Sequence, residues 1–293
     1  MVDFTLLSVA YVIIMMMLGA EYLLPLISCL SIYQCKEDNT MQHKFLTLKA
    51  SSGAFAFLFC FSLLLGCASQ TKTVQAASDA DAPTHIVGID PGHQGPNVDM
   101  SDLEPLGPGS TEMKAKASTG TQGAFTGLPE YQLNLDISLK LKDILEDRGY
   151  EVILTRTDND TAISNKERAE YVADQGAEIY VRIHANGAES SSASGALTIS
   201  PSSSNPYVPQ LYEESNQLSQ CILDSYCQAT GFANLGVSYY DNMTGINWSS
   251  VPVTIVEMGF MTNEQDDRQM SDPDFQDTMA QGIADGIDSY FNK

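Results

Sequence analysis

From residue 85 onward the chain alternates short apolar runs with helical stripes, and nothing else in it constrains the fold as strongly. The run at 85–90 reads as a buried strand, stopped by Pro91-Gly92. Residues 130–148 place Leu133, Ile137, Leu141, Ile144 and Leu145 on one helical stripe, which Gly149 ends. Further strands are predicted at 150–155, 178–184, 196–200 and 251–258, the last with Pro252 near its start, where a missing donor does least harm. Ser164 and Glu167 form a capping box that opens a helix through Asp174. A long helix is predicted over 207–230. Asp272-Pro273 opens the last helix, whose buried stripe is Phe275, Met279, Ile283 and Ile287. Strands separated by helices pair in parallel through crossovers, and the helices cover both faces of the sheet. The expected fold is therefore α/β: one domain over 85–293 with a largely parallel central sheet, behind an N-terminal apolar leader. Residues 96–129 are Gly/Ser/Thr-rich without periodicity, a length that normally marks a functional loop.

The leader, residues 1–67, is apolar in two stretches. Residues 4–20 carry no charge, and neither do residues 50–71, which follow His43, Lys44 and Lys49. Positive residues before such a run make a secretory signal. The run ends in Leu64-Leu65-Gly66-Cys67, which resembles the lipobox of bacterial lipoproteins, with Cys67 as the residue that receives lipid and 68–84 as a flexible tether. Cleavage after Ala76 and a retained transmembrane hairpin are the competing readings. Met41 looks like a natural start, because 41–67 is a complete signal on its own. All three readings place the following domain outside the cytoplasm, as an exported protein at the cell surface.

Charge narrows the partners. The chain has 15 basic and 37 acidic residues, a net of −22. The leader holds three basic and four acidic residues, so the rest carries 12 and 33. Such a surface repels phosphate backbones and excludes nucleic-acid binding through a basic footprint. Cys221 and Cys227 sit on different faces of a helical pattern and read as core or half-buried thiols, not as a disulfide or a zinc site.

Ligands of open α/β sheets gather at the carboxyl ends of the strands. His93 follows the first strand, His184 closes another, and Glu257 lies inside the otherwise apolar run 253–260. Glu130 opens a helix directly after the long loop. A carboxylate among Ile255, Val256 and Met258 needs a compensating metal or cation, because an unpaired buried charge is expensive. Two imidazoles and one carboxylate with an open fourth position form a common hydrolytic zinc site, and a second carboxylate in reach can move the proton. Taken singly, each residue has a plainer reading. His93 reads as a turn residue, His184 as a half-buried histidine and Glu130 as a first-turn acid favoured by the helix dipole. The separations of 37 and 54 residues are too wide for a local metal signature.

Five segments in order resolve the ambiguity by resemblance. Asp90-Pro-Gly-His-Gln-Gly95, Glu130-Tyr-Gln-Leu-Asn-Leu135, Leu154-Thr-Arg-Thr-Asp158, Ile183-His-Ala-Asn186 and Val256-Glu-Met-Gly-Phe-Met-Thr-Asn263 resemble the motif set of the zinc-dependent N-acetylmuramoyl-L-alanine amidases (the amidase 3 type). The resemblance spans about 85–292. It implies one Zn2+ per chain held by His93, Glu130 and His184, with Glu257 as the catalytic glutamate. The implied substrate is peptidoglycan, cut at the amide between N-acetylmuramic acid and L-alanine. Gln94 and Arg182 depart from the usual Gly and Ser of the pattern. Arg156 is expected to anchor Asp158 or a neighbouring loop, and Asn186 and Asn263 to cap turns. A related zinc peptidase on another wall amide, or a non-catalytic wall-binding or activator protein of the same fold, are the alternatives.

Overall fold

The computed structural model describes residues 85–292; the leader, the tether and Cys67 lie outside the described residues. The central sheet has six strands. They are β1 (Ile86–Pro91), β4 (Glu151–Leu154), β5 (Ile179–Asn186), β6 (Ala196–Ser200), β7 (Asn234–Tyr239) and β8 (Val253–Phe260), in the spatial order β4-β1-β5-β8-β6-β7. All neighbouring pairs run parallel except β6 with β8, so the sheet is mixed but largely parallel. A small antiparallel hairpin, β2 (Leu103–Pro105) with β3 (Met113–Ala115), stands apart.

Six helices complete the domain: α1 (Glu130–Asp147), α2 (Asn165–Asp174), α3 (Tyr212–Thr230), α4 (Thr244–Asn247), α5 (Glu264–Met270) and α6 (Pro273–Phe291). Helices α1, α3 and α6 cover one face, packing Leu133, Ile137, Ile222, Tyr226 and Ile283 onto Val87, Ile89, Val181, Ile183 and Val256. On the other face α2 and α4 pack Val172 and Ile246 against Tyr180, Ile199 and Ile255. Because side chains alternate along a strand, Arg182 and His184 share the second face with Tyr180, and Glu257 shares it with Ile255. Helices thus cover both faces, as the alternation predicts.

Local signals act where the sequence places them. Ser164 accepts from the Glu167 amide while the Glu167 carboxylate accepts from the Ser164 amide, the expected capping box of α2. Asp272 caps α6 ahead of Pro273. Asn263 caps α5, and the Asn186 side chain accepts from the Gly187 amide, so both asparagines do cap turns. Cys221 is buried and Cys227 half-buried.

Four expectations shift. The segment 96–129 is not structureless: it contains β2–β3 and a bridge between Gln122 and Pro129. The helix expected from residue 207 begins at Tyr212, preceded by the 3-10 turn Pro209–Leu211. Strand β8 starts at Val253 because Pro252 has no N–H, although its carbonyl still accepts from the Tyr180 amide at 2.8 Å. Strand β7 and helix α5 were not expected at all. Among the described residues, no helix is long and apolar enough to cross a membrane.

Candidate metal centre

The fold brings His93, Glu130 and His184 together at the carboxyl edge of the sheet, with their donor atoms all within 4.8 Å of one another. His93 sits in the turn after β1 at φ 109°, the one non-glycine residue at positive φ among the described residues. Such backbone costs on the order of 1–3 kcal/mol and persists only where its surroundings over-determine it. Its Nδ1 donates to the Ser118 carbonyl at 2.9 Å, which leaves Nε2 with a free lone pair 3.1 Å from Glu130 Oε1. A carbonyl partner of this kind sets the tautomer of a ligating histidine.

Glu130 is the first residue of α1, where the sequence alone reads it as a first-turn acid. Its side chain instead turns inward. Oε2 accepts from the Thr121 amide at 2.9 Å, and Oε1 accepts from the Ala185 amide at 3.2 Å. His184 Nδ1 lies 3.2 Å from the same Oε1, so both imidazoles converge on one carboxylate oxygen. The two rings meet edge to face at 4.7 Å between centroids. Close approach has a backbone requirement: a Cβ on Gly92 would fall 2.1 Å from His184 Cε1 and Nε2. Gly120, at φ +74°, leaves no room for one either, since it would meet Glu130 Oε2 at 2.3 Å.

Glu257 stands beside His184 in the register of β5 and β8. Its Oε2 is sealed from water without a partner, and so is His184 Nε2. Burial pushes the Glu257 carboxyl up to about 8, helped by the charge of Glu130 and opposed by Arg182. Burial likewise lowers His184 to about 4, against the raising effect of Glu130, so its imidazole is neutral at pH 7. Burial alone would raise Glu130, but its close contacts with the His184 and His93 imidazoles hold it far below the usual carboxylate range. Two neutral-capable imidazoles, one ionised carboxylate and two orphaned polar atoms on one edge match the donor chemistry of a hydrolytic zinc site.

Comparison with known proteins gives the family. The profile of the family described as N-acetylmuramoyl-L-alanine amidase matches residues 87–289. The chain belongs to that family. Its relative LytC of Bacillus subtilis, an N-acetylmuramoyl-L-alanine amidase, is 32% identical over 170 residues, which cover 56% of this chain and 32% of LytC. The chain thus matches about a third of that relative's length. Among solved structures, the amidase Ami1 of Mycobacterium abscessus superposes with a TM-score of 0.64 at 27% identity, covering 71% of this chain and 99% of that one. The catalytic domain of the amidase CwlV from Bacillus (Paenibacillus) polymyxa gives 0.57 at 28% identity, covering 71% and 98%.

What holds this amidase-family site in shape is a buried charge network that reading the sequence missed. Asp90, fully buried, accepts from Arg168 Nη1 (2.7 Å) and Thr155 Oγ1 (2.5 Å) on Oδ1, and from Arg182 Nε (2.8 Å) and Tyr180 Oη (3.1 Å) on Oδ2. Arg168 also donates to the carbonyls of Pro91 and His93 and to Gln94 Oε1. Arg156 donates to the carbonyls of Pro91, Gly92, Tyr131 and Asp158. Arg156 therefore anchors a neighbouring loop as expected, but the loop is the one that carries His93. The two guanidiniums clamp the turn that the unusual His93 backbone requires. Gln94 and Arg182, the departures from the family pattern, both belong to this network.

Proposed function

We propose that the chain is a zinc-dependent N-acetylmuramoyl-L-alanine amidase that hydrolyses the amide between N-acetylmuramic acid and L-alanine in peptidoglycan. One observation carries the reading: three donors converge, and a fourth, unpartnered carboxylate faces them in a domain of this family. His93, Glu130 and His184 would hold one zinc ion. When bound, zinc supplies Lewis acidity, polarising a carbonyl oxygen and acidifying water. Glu257 handles the proton. Its Oε2 takes a proton from the attacking water and passes it to the amide nitrogen as the C–N bond breaks. A C–O bond forms, and a muramoyl carboxylate and a free L-alanine amine leave. Arg182 faces Glu257 from the sheet and favours its ionised form. The hydrogen bonds of Glu130 to two backbone amides keep its carboxylate oriented toward the histidines.

Mass spectrometry of peptidoglycan digested by the full chain tests this reading. Intact stem peptides with new L-alanine amino termini are expected, lost on chelation and restored by zinc. Fragments cut within the glycan or within the stem would refute it. The same proposal places the domain outside the cytoplasm, where its substrate lies, with lipid on Cys67 as the anchor. Radiolabelled palmitate should then label the wild-type chain and not Cys67→Ser; equal labelling of both would remove the anchor.

A further inference from the structure

Two cavities flank the histidines and Glu257, and their walls differ in charge. The first, about 400 Å³, is lined by Lys114, Ser118, Asn165, Arg182, Asn242 and Gly245 beside the shared residues. The second, about 520 Å³, is lined by Thr121, Asn186, Ala188, Glu189 and Thr262 and by Glu130 itself. In a chain with 15 basic and 37 acidic residues, two cations on one wall are the anomaly. Apart from Glu257 the first cavity has no acid in its lining, whereas the second has acids and no Lys or Arg.

Lys114 is held in place by the β2–β3 hairpin, which is firmly docked. Trp248 Nε1 donates to the Pro105 carbonyl at 2.8 Å, and the Lys166 amide donates to Glu104 Oε1 at 3.1 Å. The Asn165 amide and side chain both donate to the Lys116 carbonyl. Among the described residues the ammonium of Lys114 has an ion pair only with exposed Glu112, at 3.8 Å, a contact that water and salt weaken readily. Arg182 is committed to Asp90 and Asn165, so it adds positive potential to the floor while Lys114 has donors to give.

The substrate of the proposed reaction is asymmetric in the same sense. On the acyl side lies a neutral N-acetylated sugar. On the amine side lies a peptide whose second residue continues through its side-chain carboxyl, leaving an α-carboxylate one residue, about 3.8 Å, beyond L-alanine. We propose that the first cavity seats the peptide side, with Lys114 pairing that α-carboxylate, and that the second seats the sugar. The reverse orientation sets the carboxylate against Glu189 in a lining with no Lys or Arg, a like-charge arrangement that discriminates by repulsion. This orientation rests on the amidase reading. It adds a substrate preference: stems whose second residue is a free acid are cut faster than stems whose α-carboxyl is amidated.

The test compares two muramoyl tripeptides that differ only in α-carboxylate or α-carboxamide at the second residue, using the zinc-loaded full chain. Wild type should favour the acid about tenfold in kcat/KM, the scale of one charge-assisted hydrogen bond. Lys114→Gln should bring the ratio to within about twofold of one, and Lys114→Arg should keep the preference. Equilibrium binding of the corresponding free tripeptides should show the same pattern without turnover. Equal rates on both substrates in wild type, or an unchanged ratio in Lys114→Gln, overturn the orientation alone. No turnover of either substrate by the zinc-loaded chain overturns the amidase reading, and the orientation with it.

Discussion

Replacing Asp90 by asparagine isolates the network under the metal centre. The substitution keeps shape and removes one charge. In the native chain the carboxylate accepts four hydrogen bonds, two of them from guanidiniums, and no atom of it is exposed. Asparagine offers one acceptor oxygen and sets an NH2 group against donors, either Thr155 and Arg168 or Tyr180 and Arg182. Arg168 and Arg182 are then left buried without a counter-charge. Removing one partner of a buried ion pair costs about 3–5 kcal/mol. A loss of about 4 kcal/mol is expected, a large share of the roughly 5–15 kcal/mol that holds a domain folded.

Urea unfolding of the metal-free chain at pH 7 measures that loss, with chelator present because bound metal would add its own stabilisation. The pH dependence provides a second check. Burial alone would raise the Asp90 carboxyl, but Arg168, Arg182 and the hydrogen bonds hold it well below its ordinary value. The stabilisation is therefore fully present above the unfolded value of about 4 and is lost as pH falls through the depressed folded one. The gap between wild type and Asp90→Asn should accordingly narrow in acid. Zinc affinity should fall by about 10- to 100-fold, because the turn carrying His93 loses its clamp. A variant within about 1 kcal/mol of wild type, with an unchanged denaturant slope, would refute the claim that this network shapes the site.

Other expectations follow from single contacts. Glu257→Gln should lower turnover by about 10²–10⁴-fold while zinc content, read by plasma emission, stays near one per chain. In the metal-free chain the folded carboxyl of Glu257 lies at about 8, above its unfolded value. Wild type should thus lose stability relative to Glu257→Gln between about pH 4.3 and 8, with a ceiling near 5 kcal/mol from linkage, and urea titrations across that range decide it. Gly92→Ala puts a methyl 2.1 Å from the His184 ring, so zinc affinity measured by competition should drop more than about tenfold while the far-ultraviolet spectrum is kept. Trp248→Phe removes the donor to Pro105 and weakens the stacking of Lys166 at 4.2 Å, so amides 103–115 should exchange faster.

Much of the fold was legible because its elements obey simple periods: the stripe of α1, the capping box of α2 and the Asp272-Pro273 start of α6 are local signals. The hairpin was not legible, since three-residue strands carry no period and owe their place to Trp248 and α2. Strand β7 is an edge strand, half exposed, with Gly236 at φ +86°, so its alternation is faint. The site divides the same way. Glu257 announced itself as a charge inside an apolar strand. Asp90 and Arg182 carry the same signal, since each sits on a buried strand with apolar neighbours. Their partnership spans 92 residues, and that of Asp90 with Arg168 spans 78, distances at which one sequence shows the discomfort but not the remedy.

The charge of the whole chain and the charge beneath the site have opposite signs, and the difference matters for catalysis. The acids of this domain act on anything approaching from afar, but salt screens them over about 8 Å under physiological conditions. Within that distance the local groups decide. Arg168 and Arg182 face one Asp90, so the network keeps a positive remainder beneath His184 and Glu257. Burial and the charge of Glu130 raise the Glu257 carboxyl to about 8 in the metal-free chain, and Arg182 is the group that opposes them. Arg168 clamps the His93 turn while Arg182 favours the ionised form of Glu257, and Asp90 holds both. Positioning and electrostatics share one set of side chains, and a change to Asp90 or Arg182 alters both at once.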